Sequence, residues 1–237
     1  MTSDPAIGTD AGWFCGLLQA GDSFYPTGAY AHSYGLEGLV QENVVTDRAT
    51  LCSYYEQSVL PSLARLELPL VAQAWHALAE PDWAEVAEVS RLASVLKTTR
   101  EVRLASHNIG RQRAELLARL RPESLATALV ARAASDGFPF AATVSAALEG
   151  RVHGAPLAAV LGGVFYATLS GQLAAAMKLL RIGQNAAQSL LTEMLAHAGP
   201  TVEAAVVLRR EEIGWFNPWL DIASARHETA NARLFIS

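Results

Sequence analysis

The sequence predicts an all-α fold: a single-domain bundle of about ten helices. Three observations point there. Alanine is abundant and isoleucine sparse, a bias toward helix over pleated sheet. Proline and glycine recur at helix-length intervals along the chain. Alternating polar–apolar runs of strand type are hard to find. No repeat, low-complexity block or Gly/Pro/Ser-rich linker marks a second domain, so residues 1–237 are expected to form one unit with a sizeable core.

Each element has a local reason. Behind a flexible leader over 1–11, a short helix is expected near 13–20, before a turn that Pro26 and Gly28 tighten. The next helix spans about 29–41. Asp47 caps another, which Pro61 stops, and a further one continues to about residue 79. Pro81 suits a first helical turn, where its missing N–H costs nothing, and Trp83, Val86, Ala87, Ala93 and Leu96 then fall at core-facing spacing. A helix over 98–120 ends before Pro122, which starts the next, to about residue 135. Pro139 opens one that fades at Gly150. Helices over 155–170 and 172–182 follow, with Gly171 and Gly183 as breaks. Three more, near 185–197, 201–210 and 218–233, complete the chain.

Composition excludes some functions. Half the residues (51%) are apolar and 17% charged, too few charges for a disordered chain. A net charge of −5 argues against a phosphate backbone as partner, so no nucleic acid is expected. The run 97–113 is basic but lacks interleaved aromatics, and reads as a solvated helix face with local ion pairs. Cys15 and Cys52 form no metal-knuckle or CxxC pattern, and the first residues have no secretory signal; the cytoplasm is the expected address. The stretch 155–177 is uncharged and long enough to span a bilayer. Its Pro156, Gly162, Gly163, Ser170, Gly171 and Gln172, and flanks without an aromatic belt, favour a buried core helix or a self-association face over a membrane span.

Catalytic signatures are missing: no Walker A, no GxSxG, no dinucleotide fingerprint. The six histidines are scattered, with no HExxH pair, so no metal ligand set follows from spacing. On a helix over 29–41, Glu37 would share a face with Tyr30, Ser33 and Tyr34, whose hydroxyls could hydrogen-bond its carboxylate. Either this is a satisfied polar contact or the carboxylate lines a passage for a divalent cation. Lys178 and Arg181 sit in the last turn of a helix, where cations favour the negative end of the dipole or meet an acidic partner. Gln184 and Gln188 share a face of the next helix. Most informative is the end of the chain, 221–237. It carries Arg226, His227, Glu228 and Arg233 and closes on an apolar Leu234-Phe235-Ile236 tip, a combination expected of a partner-docking segment rather than of fold closure.

Four motifs, in order, resemble the pattern of the UreF family of urease accessory proteins. They are Pro26-Thr27-Gly28 followed by Ser33-Tyr34-Gly35-Leu36-Glu37; Thr99-Arg100-Glu101-Val102-Arg103 with Gly110; Lys178-Leu179 with Gly183-Gln184; and Ile222-Ala-Ser-Ala-Arg-His-Glu-Thr229 with Arg233-Leu234-Phe235. Two departures stand out. Arg181-Ile182 precedes Gly183 where the family often has proline, and Ile236 stands where it commonly has arginine. The first alters the helix break beside Lys178; the second removes a terminal cation from a docking surface.

The resemblance implies an all-α UreF bundle, usually a homodimer, without catalytic activity. It implies a scaffold that bridges UreD (UreH in some species) and the GTPase UreG, modulates GTP hydrolysis, and serves nickel delivery into apo-urease. No cofactor would be stably bound; nickel would be in transit. Lys178 would contact the GTPase, and Arg226, His227, Glu228 and Arg233 would serve assembly. Glu37 would lie beside the nickel passage, with Pro26, Gly28, Ser33, Gly35, Gly183 and Gln184 as structural motif residues. The rival expectation is a helical metalloenzyme whose His and Glu ligands converge only in the tertiary structure. A plain self-associating helical module, built on the apolar 155–177 run, is the third.

Overall fold

The computed structural model describes residues 11–22, 24–228 and 233–236. Three-quarters of the chain is helical, with no strand among the described residues. The helices are α1 (Gly12–Gly21), α2 (Leu36–Gln41), α3 (the continuous run 48–77), α4 (Trp83–Val95), α5 (Arg100–Leu120), α6 (Leu125–Asp136), α7 (Ala142–His153), α8 (Leu157–Leu179), α9 (Gln184–Leu195), α10 (Ala198–Val207) and α11 (Pro218–His227). The flexible leader expected over 1–11 lies outside the described residues, save Ala11.

At the centre is α7, buried continuously from Thr143 to Gly150 and packed by α1, α3, α4, α5 and α6. No amphipathic stripe is visible in it because every side is covered. The long α8 lies against α3, with Val160, Leu161, Phe165, Leu169, Leu173 and Ala176 turned into the core at helical spacing. By length and composition it could cross a membrane, with mean hydropathy 1.4 in its most apolar window, of which 33% is buried. Its other side, with Ala158, Gly163, Tyr166, Ala167 and Met177, is open.

Several boundaries differ from expectation, each for a physical reason. Pro61 does not end a helix: α3 runs through both Pro61 and Pro69 by widening to π-helical turns at Tyr55–Val59 and Leu63–Glu67. A proline ring clashes with the carbonyl four residues back, and a widened turn relieves that clash. The Arg65 carbonyl, four residues before Pro69, instead accepts from the Gly214 N–H at 2.9 Å. Gly171 does not break α8, and Gly150 lies inside α7. Pro81, Pro122 and Pro139 precede their helices rather than opening them. Asp82 and Ser124 take the capping positions before α4 and α6, accepting from backbone N–H groups of the first turn.

The largest difference is at 29–41. A 3₁₀ turn, Ala29–Ala31, is followed by a left-handed pair, Tyr34 (φ 53°) and Gly35 (φ 88°), before α2 begins. The Ser33 hydroxyl oxygen accepts from the Glu37 N–H at 3.2 Å. Glu37 therefore does not share a helical face with the preceding tyrosines. Tyr34 lines a cavity between the helices, and the Glu37 carboxylate turns elsewhere.

Candidate functional site

Asn217 and Pro218 start α11. The Asn217 side-chain oxygen accepts from the Trp219 and Leu220 N–H groups, and its amide donates to the Ser58 hydroxyl at 2.8 Å. The helix has two faces. Leu220, Ala223, Ser224 and His227 turn inward, while Trp219 (77% exposed), Ile222 and Arg226, at i, i+3 and i+7, turn outward. The inner face rests on α2, and the approach is close enough to require glycine. A Cβ on Gly38 would lie 2.6 Å from the Ala223 carbonyl oxygen, and one on Gly35 2.7 Å from Leu220 Cδ1.

Beyond α11 the chain folds back onto Glu37. That carboxylate, 2% exposed, accepts from three donors: the Leu234 N–H (2.8 Å), the Phe235 N–H (3.0 Å) and His227 Nε2 (2.9 Å). The other imidazole nitrogen faces Glu101 at 3.2 Å, and Glu101 also accepts from Arg233 at 2.7 Å. The Ile236 N–H donates to the Ala31 carbonyl at 2.7 Å. Around this centre Ser224 meets Thr99, Arg100 pairs with Glu228, and Arg226 pairs with Glu42. Lys178 places its ammonium 5.4 Å from the centre of the Phe235 ring.

Three corrections follow. The apolar tip is not wholly exposed: Phe235 is 6% accessible, while Leu234 (70%) and Ile236 remain outside. His227 is an interior residue between two carboxylates, not a surface group, whereas Arg226 stands at the surface paired with Glu42. The basic run 97–113 is not simply solvated. Lys97 is buried against Glu67, and Arg113 pairs with Glu149. Glu37, Lys178, Arg226, His227, Glu228 and Arg233 are thus brought together. Gly183 and Gln184 start α9 with Gln184 exposed and lie outside this cluster, and Gly28 faces Gln112 on α5 beside the Pro26 turn.

A second feature is a cavity of about 340 Å³ that is partly open to solvent, with Gly163 and Ala167 of α8 on its rim. Tyr25, Arg113 and Glu149 are on its wall, as are Glu67 and Lys97; Glu37 is not among the lining residues. Tyr25 donates to Glu149 at 2.6 Å, and burial, with the adjacent Glu149 charge, pushes its pKa up. Four lining residues carry buried polar atoms without a protein partner: Arg113 Nε, Thr143 Oγ1, Gln172 Oε1 and Trp215 Nε1. The wall is more apolar than polar, and a space of this size with several unpartnered polar atoms accommodates water. Among the described residues no group of three or more His, Cys, Asp or Glu side chains is placed to hold a metal.

Sequence reasoning missed Gly38, Glu42 and the Arg113–Glu149–Tyr25 set. Gly38 had a signal, since a glycine inside a six-residue helix needs a packing reason. The buried trio joins positions more than a hundred residues apart in the case of Tyr25 and Glu149, and no spacing announces it.

Comparison with known proteins agrees with the geometry. The UreF family model matches residues 45–195. A urease accessory protein UreF of Azoarcus sp. (strain BH72) is 37% identical over 93% of this chain and 94% of its own. That of Methylibium petroleiphilum is 33% identical over 98% of both chains. That of Chromohalobacter salexigens is 31% identical over the full length of both.

Proposed function

The chain belongs to the UreF family of urease accessory proteins, and on that premise we propose that it is a non-catalytic scaffold for urease maturation in the cytoplasm. It joins UreD to the GTPase UreG and presents both to apo-urease, working as a homodimer through the open side of α8. Nickel is cargo, not a resident cofactor. It moves through the cavity, where Glu67 and Glu149 offer carboxylate oxygens already shared with Lys97, Arg113 and Tyr25. Carboxylates so engaged hold a cation weakly, and a cargo that must leave needs weak sites.

The observation that carries this reading is the outer face of α11 with the end of the chain. Trp219 and Ile222 are exposed on the same face of α11 as Arg226, and Phe216, Leu234 and Ile236 are exposed as well. Large aromatic and aliphatic side chains next to a cation have the composition of an interface core rather than of ordinary surface. Lys178, exposed beside Phe235, is the contact assigned to the GTPase, and GTP hydrolysis is adjusted through it.

A pull-down from cells co-expressing UreD and UreG, with urease activity read in parallel, tests the assignment. Arg226→Ala and truncation after Glu228 should abolish the ternary complex while helix content by circular dichroism is retained. Normal urease activation by the truncated chain would refute the scaffold role. Lys178→Ala should weaken GTPase recruitment more than UreD binding; equal loss of both would count against the Lys178 assignment.

A further inference from the structure

We propose that Glu37 is the positioning residue of the carboxyl-terminal docking segment: it fixes 233–236 in the shape that a partner meets. The inference rests on the scaffold reading above. A carboxylate at 2% exposure must be met by donors, or burial costs more than the fold can bear. Here the donors facing its oxygens belong to the end of the chain: His227 Nε2 and the consecutive N–H groups of Leu234 and Phe235. Two adjacent backbone N–H groups converging on one anion form a nest that reads main chain, not side chains. The carboxylate therefore sets the register of the segment. Leu234 and Ile236 are turned out, and Phe235 is turned in beneath Lys178.

The dependence runs both ways. Without the segment, Glu37 is a buried charge stripped of these donors; without Glu37, two backbone N–H groups lose their acceptor. The residue type is constrained as well. Aspartate is one methylene too short to reach both N–H groups from α2, and glutamine replaces one acceptor oxygen with a donor. A passing divalent cation would need these oxygens free, and Glu37 does not line the cavity. Its carboxylate serves the segment, not the cargo.

Amide hydrogen exchange on the isolated full-length protein reads this directly. In Glu37→Ala, protection at residues 234–236 should fall about tenfold or more, while amides of α5 and α7 keep theirs. Glu37→Gln, which retains one acceptor and keeps the fold if alanine does not, should lie between. In parallel, UreD–UreG capture should fall in the same order, and Glu37→Ala should add nothing once the chain is truncated after Glu228. Protected 234–236 amides in both variants would overturn the assignment, as would loss of protection spread equally over α5 and α7. Exposed amides with intact capture would leave the scaffold reading standing and overturn the claim that the anchored shape is what the partner meets.

Discussion

A methyl group on Gly38 would sit 2.6 Å from the Ala223 carbonyl oxygen, so Gly38→Ala has to push α11 off α2. Overpacking of this kind costs about 1–3 kcal/mol. The expected result is a lower urea midpoint together with faster exchange at 234–236, because α11 carries His227 to its two carboxylates. An unchanged midpoint would mean that α11 is free to slide. The histidines allow a second test. Burial holds His107 below its ordinary value of 6.5, with Arg103 and Lys97 adding to the depression; burial likewise lowers His153, offset by Glu149. The neutral ring is favoured in the fold, so the unfolded chain takes up protons first as pH falls. Stability from these groups is full above 6.5 and declines on acidification through their lowered native values. The urea midpoint should drop between about pH 7.5 and about pH 5.5, and drop less in His107→Gln. Glu37, His227 and Arg233 could be singled out in the sequence, and the structure brings them together, but the direction in which they point was not legible. The charges at 226–233 face Glu37, Glu42 and Glu101, partners so distant along the chain that only the fold reveals them.

Helices were legible as helices, and their ends were less so. The periodic apolar positions of α4 are buried where expected, at Val86, Ala87 and Ala93. Proline misled at Pro61 because a helix that widens can keep going; the same helix then passes Pro69, where the Gly214 N–H supplies the donor that the Arg65 carbonyl needs. Gly171 misled for the opposite reason. A lone glycine weakens a helix by roughly 1 kcal/mol but does not break one that is packed along its length. In α8 a Cβ at Gly162, Gly163 or Gly171 would meet nothing within 4 Å. Gly171→Ala should therefore raise stability by about 0.5–1 kcal/mol in the isolated protein, read as a higher thermal midpoint. A fall would show that a second copy or another partner already covers that side of α8 under the conditions of the measurement. The same variant should then shift the sedimentation profile, since a methyl group in a closely packed helix interface separates the helices.

Taken as one molecule, the bundle joins the end of the chain to the cavity through α11, whose Leu220, Asp221 and Ser224 are on the cavity wall and whose His227 meets Glu37 and Glu101. The end of the chain, 233–236, is held by Glu37 and Glu101, and the cavity runs between helices whose buried polar atoms lack a protein partner at Arg113, Thr143, Gln172 and Trp215. Nothing in the composition announces the cavity: 51% apolar residues would fill a solid core as readily. Of the six buried side-chain polar atoms without a protein partner among the described residues, four are on residues of its wall, and buried polar groups normally find partners. Gln172, 5% exposed on α8, separates a packing defect from a working passage. Replacing it with leucine of similar volume removes a buried acceptor that has no protein partner, so Gln172→Leu should leave stability unchanged or raise it by about 1–2 kcal/mol. If polar atoms on the cavity wall carry hydrated nickel, the same change should lower urease activation several-fold while partner capture stays intact. Stability and delivery then move in opposite directions, which unfolding cannot imitate. A stable Gln172→Leu protein that activates urease normally would remove the cavity from the delivery route and leave the docking segment as the whole of the protein's contribution.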